Sequence, residues 1–212
     1  MAMQQAPYPV QFSVDYPDRK LNRLTSAFRI FVAIPILIVL GSVNGSTTSV
    51  YAGRGARFAL SGAGGLLFLG PLLMILFRRK YPRWWFDWNL ELQRFINRVL
   101  AYILLMDDRY PATDQQQAVH LDYADPDGGR SLNRWLPLVK WFLAIPHWIV
   151  LLFLWIAVFV VTFIVWLVII FTGRYPRALF NFVQGVIRWG ARVVAYALVL
   201  VTDKYPPFSL AP

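Results

Sequence analysis

The chain has 212 residues, of which 58% are hydrophobic and only 15% charged, too few polar side chains to coat a soluble domain. Its 21 Lys and Arg against 11 Asp and Glu leave a formal charge of +10, a balance that suits nucleic acid or anionic lipid, and the hydrophobicity selects lipid. There is no cysteine, which excludes disulfides, thiolate nucleophiles and thiolate metal sites.

Residues 1–18 are polar and contain proline, so no removable leader is expected, and the first apolar segment serves as its own insertion signal. Residues 24–43 and 58–77 follow, 20 residues each and each about long enough to cross a hydrocarbon core as helix. The Gly, Ser and Thr of 41–57 read as the loop between them, so a transmembrane hairpin is predicted over 24–77. Pro35 stands within its first helix, where a kink is expected.

A basic Tyr-Pro turn comes next, with Arg78, Arg79, Lys80 and Arg83 around Tyr81-Pro82. Beyond it Asp87, Glu91, Arg94 and Arg98 are spaced 4, 3 and 4, one polar stripe on a helix otherwise rich in Trp, Phe and Leu. That pattern predicts an amphipathic helix over 84–106, lying in the membrane interface with its Arg heads among headgroups. Residues 112–130 then read as a polar linker broken by Asp125-Pro126-Asp127-Gly128-Gly129.

The remainder repeats what came before. Leu21-Asn22-Arg23, Arg29 and Ala33-Ile34-Pro35 return as Leu132-Asn133-Arg134, Lys140 and Ala144-Ile145-Pro146 at an offset of 111. Tyr81-Pro82-Arg83 and Arg98-Val99-Leu100-Ala101-Tyr102 return as Tyr175-Pro176-Arg177 and Arg192-Val193-Val194-Ala195-Tyr196 at an offset of 94, a difference of 111 − 94 = 17 residues that matches 41–57. A tandem duplication is therefore expected: repeat one over 1–111, the linker, and repeat two over 131–212.

Repeat two carries 31 residues without a formal charge over 141–171, too long for one upright span, and by analogy with repeat one a tight hairpin over 132–171 is predicted, kinked at Pro146. Short wedge-like helices that barely cross are the alternative. An amphipathic helix over 177–201 carries Arg177, Arg188 and Arg192. The predicted fold class is thus an all-α membrane protein of two parallel-oriented repeats, each a transmembrane helical hairpin followed by an amphipathic interfacial helix.

Basic residues gather before and after each hairpin, which puts both termini and the linker on the cytoplasmic side of the membrane. Candidate contacts to lipid headgroups or to a partner are Arg78, Arg79, Lys80, Arg83, Arg94, Arg98, Arg174, Arg177, Arg188 and Arg192. His147 is a candidate intramembrane polar site, weighed against an interfacial side chain bonded to a backbone carbonyl near the kink. His120 and His147 have no carboxylate at ligand spacing, and no nucleophile elbow or phosphate loop occurs, so no catalytic residue, metal or cofactor is expected.

At Phe171-Thr172-Gly173-Arg174-Tyr175-Pro176-Arg177, Arg188-Trp189, Val193-Val194-Ala195-Tyr196 and Asp203-Lys204-Tyr205-Pro206-Pro207-Phe208, with Pro137-Leu138-Val139-Lys140-Trp141 and Ala144-Ile145-Pro146-His147, the chain resembles a bacterial family known only as a domain of unknown function, number 4389. Residues 1–111 look like a diverged version of the same pattern. The resemblance implies a bacterial multi-pass membrane protein and carries no activity. The expected function is a non-catalytic accessory or scaffold subunit of a larger membrane complex, with lipid engagement or membrane shaping, and transport of a small or lipidic solute, as alternatives. Expected partners are the bilayer with its anionic lipids and other membrane proteins, self-association is compatible with the composition, and nucleic acid is not expected.

Overall fold

The computed structural model describes residues 8–44, 72–78, 80–113, 115 and 117–212. In chain order its elements are strand β1 (Val10–Val14), helices α1 (Arg23–Ala27) and α2 (Arg29–Asn44), a wide helical turn (Met74–Arg78), helix α3 (Arg83–Ile103), strand β2 (Val119–Tyr123), helix α4 (Leu136–Thr172) and helix α5 (Arg177–Val194) with a second wide turn (Ala195–Val199).

The fold is not purely helical. β1 and β2 pair antiparallel, with Val10 opposite Tyr123, Phe12 opposite Leu121 and Val14 opposite Val119. Both strands alternate strictly, burying those six side chains and exposing Gln11, Ser13, His120 and Asp122 between them. The segment expected to be a polar linker therefore supplies a strand, because Val-His-Leu-Asp-Tyr has a period of two and a partner of the same pattern waits near the N-terminus. The inner face of this small sheet lies across the amphipathic helices, β1 on α5 and β2 on α3.

α4 replaces the hairpin expected over 132–171. It is one helix of 37 residues, about 55 Å long at about 1.5 Å per residue. No glycine or proline follows Pro146 until Gly173, and opening a turn inside a run of Val, Ile, Phe and Trp would strip backbone hydrogen bonds with nothing to replace them. Gly173 ends the helix in the left-handed region, at φ 71°, its N–H bonded to Ile169 O at 2.7 Å. Along its length α4 buries Pro137, Lys140, Ala144, His147, Leu151, Val158, Val165 and Ile169, a narrow stripe at spacings of three, four and seven. Much of the rest is open, Phe142, Phe153, Phe159 and Phe171 included, while Leu154, Trp155, Val161 and Trp166 are half-buried against the core.

α2 is exposed in the same way at Ile30, Phe31, Ile34 and Ile38. The second helix of the hairpin expected over 24–77, its loop, and Arg54 and Arg57 fall in 45–71, outside the described residues. Pro35 and Pro146 both lie inside continuous helices.

The amphipathic helices are where expected, α3 over most of 84–106 and α5 with its wide turn over most of 177–201. Among the described residues two helices are long and apolar enough to cross a membrane, Leu136–Thr172 and Arg177–Val199. They differ in kind, because 17% of the most apolar window of the first is buried against 72% of the second. α4 is an apolar surface, whereas α5 is the centre of the core, held between α4 and β1.

Candidate functional site

The arginines along the middle of the two amphipathic helices turn inward. Arg94 donates through Nε to Leu121 O at 2.8 Å and pairs with Glu91 and Asp122, both at 2.6 Å. Arg188 donates through Nε to Phe12 O at 2.9 Å and through Nη1 to Leu210 O at 3.0 Å. Each therefore clamps the middle residue of a strand to a helix. Arg98 donates to Ala112 O at 2.9 Å and Thr113 O at 3.2 Å, and Arg192 to Ala211 O at 2.9 Å and Ser209 O at 3.4 Å. The expected headgroup contact of Arg98, Arg188 and Arg192 is thus corrected: all three are buried, since the polar stripe of each helix is covered by backbone whose carbonyls need donors.

Two further cations sit deeper. Arg29, 3% exposed, stacks over the Tyr102 ring at 4.1 Å and donates to Asp107 O at 2.6 Å and Tyr102 O at 3.2 Å. Lys140, 0% exposed, stands 5.0 Å from the Tyr196 ring and donates to Thr202 O at 2.7 Å. The accepting carbonyls are aimed by Leu105 and Leu200, both held at positive φ, 64° and 61°. Lys140 also pairs with the Asp203 carboxylate at 2.7 Å; Arg29 has no carboxylate partner among the described residues.

His147 is enclosed. Its Nδ1 accepts from Trp189 Nε1 at 3.1 Å, its ring stacks on Phe208 at 4.0 Å and lies 4.9 Å from Tyr205, and Nε2 has no partner. With Nδ1 accepting, the ring is neutral and its proton rests on Nε2. This is an aromatic cluster holding the chain after α5 against α4.

The exposed basic side chains form the open site. At the C-terminal end of α4 a cleft of about 530 Å³ is lined by Tyr16, Lys20, Val168, Thr172, Arg174, Tyr175, Pro176 and Arg177. Its walls are tied together: Leu21 N donates to Gly173 O at 2.9 Å, Tyr16 Oη donates to Tyr175 O, and the Arg177 guanidinium lies 4.5 Å from the Tyr16 ring. Among the described residues no carboxylate pairs with Lys20, Arg23, Arg174 or Arg177. The cleft lies between the carbonyl end of α4 and the amide end of α5, whose partial charges of about half a unit oppose one another, so the full side-chain charges decide and the cleft is anion-attracting.

Of the basic residues expected to meet headgroups, Arg174 and Arg177 line this cleft, Arg78 and Lys80 are exposed before α3 and Arg83 at its first position, and Arg79 lies outside the described residues. Trp84 and Trp88 are exposed on the same helix as Arg83. Tyr16 left no mark in the sequence beyond a polar N-terminal stretch, whereas Lys20 belongs to the basic residues gathered before the first hairpin.

A family described as Domain of unknown function (DUF4389) matches residues 134–209, which take in α4, α5 and the segment after them. No curated protein and no solved structure matches the chain.

Proposed function

We propose that this chain is a non-catalytic membrane protein that seats its apolar helices in lipid and binds anionic headgroups at their basic ends. The observation that carries this reading is the cleft at Lys20, Arg174 and Arg177, set at the end of a helix whose flanks are apolar and open. Phosphate oxygens meet unpaired cations there at the depth where the apolar surface stops. Of the expected functions, lipid engagement is the one this geometry supports; the scaffold reading becomes an outcome of its test.

Within that proposal α4 lies along one leaflet. Its buried stripe runs its full length, so the charged body of the protein accompanies it from end to end, and basic residues stand at both ends, Arg130 and Arg134 before and Arg174 and Arg177 after. A single crossing would leave one cluster on the far side, against the tendency of Lys and Arg to remain cytoplasmic. A helix of about 55 Å also exceeds a hydrocarbon core of about 30 Å by more than ordinary tilt absorbs.

The proposal keeps the tandem duplication, with repeat one's β1 laid over repeat two's α5 and the linker's β2 laid over repeat one's α3. Its support is the recurrence of contacts: Arg94 on Leu121 O against Arg188 on Phe12 O, Asn22 N on Asp108 Oδ2 against Asn133 N on Asp203 Oδ2, and Leu105 against Leu200.

Two measurements test it. Replacing Lys20, Arg174 and Arg177 with Gln is expected to weaken binding of phosphatidylglycerol to the purified protein by roughly 100-fold, from about 1 kcal/mol per basic residue, with the difference fading in salt. Unchanged lipid binding alongside loss of a co-purifying protein moves the reading to a scaffold. Single cysteines at Ser131 and Ala178, in a chain that has none, should both label from the same side with an impermeant thiol reagent; labelling from opposite sides overturns the one-leaflet seat.

A further inference from the structure

A second cleft opens between α1–α2 and the C-terminal half of α4, and its chemistry differs from that of the basic site. It measures about 340 Å³, within the range that holds small ligands, and its walls are Ile30, Leu37, Ile103, Phe159 and Phe163. The two sides run in opposite directions, fastened where Trp166 Nε1 donates to Ser26 O at 3.2 Å.

Two polar groups line this apolar space with atoms left unsatisfied. Arg29 and Thr162 line the cleft, and Arg29 Nε and Thr162 Oγ1 are buried with no hydrogen-bond partner among the described residues. Three of the other four Arg29 N–H groups bond neutral acceptors: Tyr102 O, Asp107 O and, through Nη2, Ser26 Oγ at 3.3 Å. The nearest carboxylates are occupied, Asp107 by Arg109 at 3.1 Å and Asp108 by Arg19. Lys140 shows what a completed version looks like, with the Asp203 carboxylate beside it. The Arg29 site has the cation, the tyrosine ring and the turned carbonyl but no carboxylate at hydrogen-bond distance among the described residues, and Asp107 and Asp108 act on it only from farther off. A buried cation without a directly bonded counter-ion is costly, and a carboxylate supplied from outside would complete it.

We propose that this cleft binds a single-chain carboxylate amphiphile, a fatty-acid anion, with its chain along Ile30, Leu37, Phe159 and Phe163 and its head accepting from Arg29 Nε and Thr162 Oγ1. The carboxylate supplies the charge that Asp203 supplies to Lys140, and the open apolar flanks of α2 and α4 give the chain a route from the bilayer. The inference rests on the proposal that those flanks face lipid.

The test uses the full chain in non-ionic detergent and dibromostearate, whose bromines quench tryptophan at contact, with Trp166 in the cleft wall. Quenching should saturate, the saturable part should vanish in Trp166→Phe, and the methyl ester should bind at least about tenfold more weakly because it has lost its charge. Thr162→Leu, which fills the cleft and leaves Arg29 in place, should abolish saturation. Equal binding of acid and ester, or an unchanged curve in Thr162→Leu, overturns the proposal. Saturable quenching by a brominated phosphatidylglycerol but not by the free acid overturns the fatty-acid occupant in favour of a bilayer lipid. Flotation of the same preparations with phosphatidylglycerol vesicles separates the two readings: floating protein with a silent cleft sinks this inference alone, and protein that never floats sinks the membrane reading beneath it.

Discussion

Arg29 and Lys140 occupy the same place in two stretches of chain and solve the same problem differently. Both are buried cations over a tyrosine ring, both bond a carbonyl turned by a leucine at positive φ, and only Lys140 has a carboxylate at hydrogen-bond distance. The lesson is that a basic side chain near a helix start is not by itself a membrane anchor. What lies over it decides whether it snorkels outward or bonds inward, and here the segments after α3 and α5 lie over it.

The sharpest way to break the comparison is to remove the acid from each side. Asp203→Ala strands Lys140 in the core and is expected to cost about 3–5 kcal/mol in denaturant unfolding in detergent, whereas Asp107→Ala, whose carboxylate serves exposed Arg109, should cost about 1 kcal/mol or less. Equal losses would mean that the two sites are alike after all.

A packing test of the same segment comes next. A Cβ added at Gly185 would sit 2.9 Å from the Leu210 Cβ and 3.0 Å from its carbonyl oxygen. Gly185→Ala is therefore expected to cost about 1–3 kcal/mol and to push residues 209–211 off Arg188 and Arg192, which limited proteolysis of the C-terminal segment should reveal.

The strand clamps should rank in the order of their burial. Arg188→Gln loses bonds to Phe12 O and Leu210 O and is expected to cost about 2 kcal/mol; Arg94→Gln, with its side chain 27% exposed and its acids in water, about 1 kcal/mol. Hydrogen exchange should report the loss at β1 in the first variant and at β2 in the second.

The smallest effect is on pH. Burial raises the Tyr8 and Tyr123 hydroxyls above the ordinary tyrosine value. The folded state then holds protons that the unfolded chain releases, so stability is level up to the ordinary value of about 10 and falls as pH rises beyond it. An alkaline melting series should show that decline, and Tyr123→Phe should soften it.

Much of this could be read in the residues. The 3.6-residue periods of 83–103 and 177–194 and the basic Tyr-Pro turns are strong local signals, and helices cover those two ranges. Two features were hidden for physical reasons. The period-two pattern of Val10–Val14 and Val119–Tyr123 spans five residues in each case, too short to outweigh the polar, proline-bearing surroundings until the partner strand is known. The direction of Arg98, Arg188 and Arg192 was not legible because a helical stripe of arginines has the same spacing whether headgroups or carbonyls cover it. The hairpin expected over 132–171 failed differently: a turn was carried across from a stretch containing Gly and Ser to one that has neither.

The crossed arrangement of strands also bears on how the protein is made. Phe12 finds its guanidinium on Arg188, 176 positions later, and the Tyr8 hydroxyl finds Lys204 O, 196 positions later. A nascent chain emerging from the ribosome therefore carries β1 without the surface it will lie on, through the whole synthesis of α2 and α4. On the proposed seat those two helices reach lipid first, and the sheet closes last, when α5 arrives and folds beneath a strand that was translated at the outset.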